Sequence, residues 1–167
     1  MRLERIALTE AVASALFEDY AAHRKSPRGA EETGWILMGI RQDGEAIVLA
    51  ALPAGADREA SVAHVHFDAG AQIAAARTLR RKDKRLHVIG VVHTHPDGMD
   101  HPSAADLAGD RVWVGRLRHG NAAFAIGTAD CNGEPRFSWF VLSVGDSTYS
   151  PLPVRVCAAA RKAVARG

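Results

Sequence analysis

The sequence predicts a mixed α/β (α+β) single domain, a mixed β-sheet flanked by helices, on three observations. A chain of 167 residues fits one domain, since two separately cored halves would each be small. With 47% hydrophobic and 24% charged residues it has the balance of an ordinary soluble globular protein. A chain of this length buries roughly two-thirds of its unfolded surface without help from disulfides. Finally, segments with helical spacing and apolar runs of strand length follow one another without regular alternation.

Each element has its own signal. Thr9 can cap a first helix in which Leu8, Val12, Leu16 and Tyr20 fall at helical spacing, and Ser26-Pro27-Arg28-Gly29 ends it as a polar loop. Trp35 to Ile40 is an apolar run of strand length, Asp43-Gly44 is a hairpin turn, and Ala46 to Leu49 returns as its partner. After a loop from Pro53 to Arg58, Val62 to Phe67 reads as a short strand. Asp68 then caps an Ala- and Arg-rich helix with Ile73, Ala76 and Leu79 or Arg80 on its inner stripe.

Leu86 to Val92 has the composition of a buried central strand and runs directly into His93-Thr94-His95-Pro96. Ser103 caps a short helix through about Arg111. Ala122–Ile126 and Phe137–Val144 are strands joined across Asn132-Gly133. The domain is expected over 1–150. Pro151 and Pro153 open a basic C-terminal tail over 151–167, with a final helix from Val156 to Arg166.

Several function classes are disfavoured by composition. Cys131 and Cys157 are too few for a disulfide scaffold or a four-thiolate zinc module. A net charge of +2 does not predict nucleic-acid or membrane binding. No apolar run approaches the roughly 20 residues of a membrane span. Charged residues interrupt Met1 to Tyr20, so a signal-peptide core is not expected and the compartment expected is the cytoplasm. The run Arg77, Arg80, Arg81, Lys82, Lys84 and Arg85 reads as a solvated helix end or, more sharply, a docking face for an acidic partner.

The chemistry concentrates between His93 and Asp106. Histidines separated by one residue at a strand end project to the same side, and Asp106 returns from the first turn of the following helix. Two imidazoles and one carboxylate leave one place open on a tetrahedral zinc, the arrangement of a catalytic site. Water in that place has its pKa lowered toward roughly 7. Glu31 and Glu32, just before the strand Trp35–Ile40, are both candidates for general base and acid. Ser103, on the same side of the helix start as Asp106, can donate its hydroxyl to a developing oxyanion. Asp97, Asp100 and His101 lie in the intervening loop as competing ligands, with His101 better placed at a cleft rim. His64 and His66 repeat the spacing but lack a returning carboxylate.

Glu32-Thr33-Gly34-Trp35-Ile36-Leu37-Met38-Gly39, followed by His93-x-His95, seven residues, Ser103, two residues and Asp106, resembles the JAMM signature of the MPN+ (JAB) zinc isopeptidase family, in its bacterial stand-alone form. The resemblance covers about Thr9 to Val144 at fold level and is specific over 32–39 and 93–106. It implies an MPN/JAB-like, cytidine-deaminase-like fold. It also implies one zinc per chain held by His93, His95 and Asp106, with Glu32 as general acid/base and Ser103 as oxyanion stabiliser. Glu32 is preferred to Glu31 because it stands at the family distance from the Gly-x-Leu-x-Gly-like segment, whose usual first glycine is Trp35 here. Trp35, Met99 and His101 are candidates for lining the substrate cleft, Trp35 alternatively being core.

The activity so implied is hydrolysis of the amide bond after the C-terminal glycine of a ubiquitin-like protein. Activating-like and conjugating-like enzymes encoded nearby would be its partners. The alternatives are a peptidase acting on a sulfur-carrier protein in cofactor or cysteine biosynthesis, and a metal-free MPN scaffold domain.

Overall fold

The computed structural model describes residues 1–55, 58–61, 65–66 and 69–158. Its framework is an eight-stranded mixed sheet. Along the chain run β1 (Arg5–Thr9), α1 (Glu10–Arg24), β2 (Gly34–Gln42), β3 (Glu45–Pro53), β4 (Glu59–Ala60), β5 (Val65–His66), α2 (Ala69–Lys82), β6 (His87–Thr94), α3 (Ala104–Val114), β7 (Asn121–Ala129), β8 (Pro135–Ser143), β9 (Ser150–Pro151) and β10 (Val154–Cys157). The sheet order is β10-β1-β3-β2-β6-β7-β8-β9, and β4 with β5 forms a separate hairpin. The strand ending at His93 thus lies inside the sheet, antiparallel to β2 and parallel to β7.

Thr9 caps α1 as expected, its hydroxyl accepting from the Val12 N–H, and Val12, Leu16 and Tyr20 are buried. These side chains join Ile6, Leu8, Trp35, Leu37, Val48, Ile89 and Val92 in the larger core cluster. A second cluster, Val114, Ala122, Phe124 and Leu142 with Leu107 and Trp113 packed on it, holds α3 to the sheet. Alternation of strand side chains supplies inward residues to both clusters.

Gly90 has a specific reason: a Cβ there would lie 1.8 Å from the Ala123 carbonyl oxygen of β7. Only glycine allows the β6–β7 approach at that point.

Three expectations need correction. No helix starts at Val156: Val154–Cys157 is a strand pairing in parallel with Ile6–Thr9, so the expected tail from 151 belongs to the sheet as far as Cys157, and the rest of the expected helix, 159–166, lies outside the described residues. Its partner β1 had no place in the sequence reading, because Arg5–Thr9 is short and runs straight into α1. The strand expected over 62–67 is described only at Val65–His66, where it is a strand; the rest of it, with His64, and the expected cap Asp68 lie outside the described residues. The inner stripe of α2 is shifted as well: Ile73 is 51% exposed, while Gln72 is buried and donates to the carbonyls of Leu52 and Pro53 at 3.5 and 3.2 Å. An amide can donate to the carbonyl oxygens at the end of β3, and an isoleucine cannot.

Candidate metal centre

The centre is built where β2, β6 and α3 meet. Gly34 pairs with His93, and the pairing continues beyond the strand, the Thr94 N–H donating to the Thr33 carbonyl at 2.9 Å. The buried Thr94 hydroxyl accepts from the Thr33 N–H at 2.9 Å. This lock sets Glu32 across from His95. On the other side, the His95 N–H donates to the Gly127 carbonyl of β7 at 2.9 Å. Strand alternation turns Thr94 inward to the lock and leaves both imidazoles facing one point.

Nε2 of His93 lies 3.1 Å from Nε2 of His95. Asp106 Oδ1 is 3.4 Å from the first and Oδ2 3.4 Å from the second. Ligand atoms of a tetrahedral ion with bonds of about 2.0–2.1 Å stand about 3.3–3.4 Å apart. The donor set, two neutral-capable imidazoles and a carboxylate, suits zinc or another transition metal better than magnesium or calcium. The residues therefore fit the metal. His93 and His95 are 8% and 4% exposed, and the side chain of Asp106 is 22% exposed, so access to the centre is from the Asp106 side.

The second nitrogen of His95 is also committed: Nδ1 lies 2.8 Å from the Met99 carbonyl oxygen, which leaves Nε2 as the ligating atom. The chain reverses through Gly98, whose φ of +86° suits glycine, to bring that carbonyl round. Asp106 is preset by a capping box: the Ser103 N–H donates to Asp106 Oδ2 at 2.6 Å, and the Asp106 N–H donates to Ser103 Oγ at 3.1 Å. Burial alone would raise the Asp106 carboxyl, but hydrogen bonds from His93, His95 and Ser103 hold it well below the usual carboxylate range. His95 is raised in turn: burial would lower it, and Asp106 with the Met99 carbonyl outweighs that.

The adjacent glutamates separate clearly. Glu31 accepts from Arg28 Nε at 2.6 Å and is partly exposed. Glu32 is 4% exposed. Burial pushes its carboxyl upward, against the pull of His93 and His95 and with a push from Asp106. Glu32 thus faces the centre while Glu31 faces Arg28.

The cleft candidates divide. Trp35 is 2% exposed and sits in the larger core, its indole N–H directed at Asp19 Oδ2, 3.3 Å away. The same ring also borders an open groove with Asp19, His23, Arg28, Thr33 and Arg58. Met99 is half-buried beside His95. His101 is exposed and paired with Asp100 at 3.2 Å, away from the ligand atoms. Asp97 caps its own turn by accepting from the Met99 N–H. Neither loop aspartate competes for the centre, and among the described residues His93, His95 and Asp106 are the group that could hold a metal.

One neighbour escaped the sequence reading. Asp110 stands one turn beyond Asp106 on α3 and accepts from the Tyr149 hydroxyl at 2.7 Å. Burial pushes its carboxyl up to about 6, against the Tyr149 hydrogen bond and the nearby His93. Its i,i+4 relation to Asp106 was the available signal.

Similarity to known proteins agrees with this architecture. Over most of its length the chain is similar to the solution structure of protein DSY2949 from Desulfitobacterium hafniense, with a TM-score of 0.66, 20% identity, and coverage of 92% of this chain and 94% of that one. At that identity the likeness speaks for the fold alone. No curated protein matches the chain. The family model for prokaryotic homologs of the JAB domain matches residues 13–142, from α1 through β8 and across every residue of the centre. The fold is therefore of the MPN/JAB type, and the chain belongs to the prokaryotic JAB-domain family.

Proposed function

We propose that the protein is a zinc-dependent peptidase or isopeptidase acting on the amide bond after the C-terminal glycine of a ubiquitin-like protein. The observation that carries this reading is the convergence of three ligand atoms with Glu32 buried across from them and Ser103 at the rim. Membership of a family that includes peptidases supports it.

His93, His95 and Asp106 would hold the zinc, which when bound supplies an acidified water and a Lewis acid for the scissile carbonyl. The residues do the rest. Glu32 accepts the proton of the attacking water and passes it to the leaving amine. Its raised affinity for a proton suits both halves of that task. Ser103 Oγ accepts from the Asp106 N–H, so its own proton stays available for the developing oxyanion.

An extended tail finds an edge close by. The Glu32 N–H donates to the Ser61 carbonyl at 2.6 Å, which brings the β4–β5 hairpin beside the centre, where a peptide can add as a further strand. Glycines let such a backbone approach closely. The test compares a ubiquitin-like fusion ending in Gly-Gly with fusions carrying Val or Phe as the last residue before the cut. Cleavage of the first alone is expected. Equal cleavage of all three would leave a general zinc peptidase. A sulfur-carrier substrate run in parallel separates the two kinds of protein.

A further inference from the structure

Behind the centre, Asp110 is a carboxylate in an awkward place. It is half-buried, and it makes no ion pair with a cation among the described residues. Among the described residues its side chain accepts one hydrogen bond, from Tyr149, whose ring is held edge-on by Phe124 at 5.6 Å and Phe140 at 6.1 Å. Burial and the Asp110 charge both keep the Tyr149 phenol protonated, so it remains a donor. A charge partly withdrawn from water beside an aromatic cluster, with a single neutral donor, carries a desolvation cost that a nearby cation would offset. The other groups whose charge reaches Asp110 are His93 and Asp106, which are two of the three ligands. His95 has a backbone carbonyl to orient it; among the described residues no protein hydrogen bond orients the second nitrogen of His93.

We propose that Asp110 is a positioning residue of the metal centre: its negative charge, one turn behind Asp106 and held in place by Tyr149, strengthens zinc binding through the His93 side. The inference rests on the metal-centre reading above. Acting through its charge and not through a hydrogen bond to a ligand, the Asp110 carboxylate favours a cation that the fold must otherwise gather with one anionic ligand only. The geometry also implies a trade: the charge costs the metal-free fold and favours the loaded one.

Chelator competition with zinc on the full chain, together with melting of the metal-free protein, tests this. A wild-type protein with no measurable zinc affinity removes the metal centre and this inference together. Given wild-type binding, Asp110→Asn keeps an acceptor for Tyr149 and deletes the charge. Zinc affinity should fall about ten- to a hundredfold, while the metal-free melting temperature stays level or rises. Affinity unchanged within about twofold overturns the inference and leaves the metal centre standing. Tyr149→Phe should do the reverse, lowering the melting temperature and weakening zinc less than Asp110→Asn does. If affinity losses simply track melting losses across both variants, the pair is a structural tether and the inference fails. Should Asp110→Asn not fold, Asp110→Glu retains the charge and must keep affinity within about threefold; a tenfold loss there overturns the inference.

Discussion

At one end of β6, His93 and His95 share the carboxylate of Asp106; at the other end His87 faces His119, ring centroids 5.7 Å apart. The two imidazole pairs stand at opposite ends of one strand, each joining a β6 histidine to one outside it, yet their surroundings have opposite sign. Asp106, Glu32 and Asp110 gather around the first. Arg41, Arg118 and the chain N-terminus gather around the second, and burial with these cations lowers His119. Arg41 is tied to the neutral oxygens of Asn121 at 2.6 and 2.8 Å and makes no ion pair with a carboxylate among the described residues. A pair of histidines is therefore not yet a metal site. What turns one into a site is a carboxylate within reach of both rings and a net negative field.

The comparison is broken most severely by removing a ligand. His95→Ala should abolish stoichiometric zinc and all hydrolysis, because two protein ligands hold zinc poorly. His119→Ala should leave both unchanged. Metal content by elemental analysis and cleavage of a Gly-Gly fusion read this out, and full activity after stripping with a chelator would sink the mechanism. Next in size is the carboxylate opposite His95. Glu32→Gln should keep zinc and slow turnover by about a hundredfold or more, the range for losing a general base. Glu31→Gln should leave turnover intact and cost less than about 1 kcal/mol through the exposed Arg28 pair. A reversal of the two effects would move the functional position by one residue.

The reason the first pair was legible in the sequence, and its field only in part, is one of range. His93 and His95 share a side by strand alternation; Ser103 and Asp106 share a side by the first helical turn. Both rules operate within a few residues. Glu32 needed a family resemblance to separate it from Glu31, since what distinguishes them is the capture of Glu31 by Arg28 and the pairing of β2 with β6. Asp110 was missed because its partner, Tyr149, lies 39 residues away. The same limit explains the fold errors. The partner of β10 is β1 at the far end of the chain, and neither strand carries enough alternation to announce it. Ile73 was placed inward by periodicity, whereas the carbonyls at the end of β3 select Gln72.

A smaller effect sharpens the role of the helix start. Ser103 serves the capping box and, in the proposed mechanism, the oxyanion. Ser103→Ala should cost about 1 kcal/mol of stability as a lost N-cap, and turnover should fall about tenfold or more through the lost donor. Ser103→Asp separates the two roles: it keeps a cap acceptor but offers no proton, so the melting temperature should recover and turnover should not. Recovery of both would assign Ser103 to the cap alone.

The subtlest difference is in titration, and it compares the two ends of β6 directly. In the metal-free protein His95 should titrate above the ordinary 6.5 of histidine and His119 below it, as followed by the ring carbon-bound protons in NMR. The signs carry into stability. Raised in the fold, His95 contributes stabilisation that is present below pH 6.5 and lost as pH climbs through its folded value. Lowered in the fold, His119 does the opposite: the unfolded chain takes up its proton first, so the fold loses stability as pH drops below 6.5. Replacing His119 with Gln should therefore raise relative stability only on the acid side. One equivalent of zinc should then erase the His95 titration from this range, since a ligating nitrogen is no longer open to a proton. The His119 curve should remain where it was. Equal displacement of both curves by zinc would mean that the metal is not confined to the Asp106 end, and the contrast between the two pairs would fail.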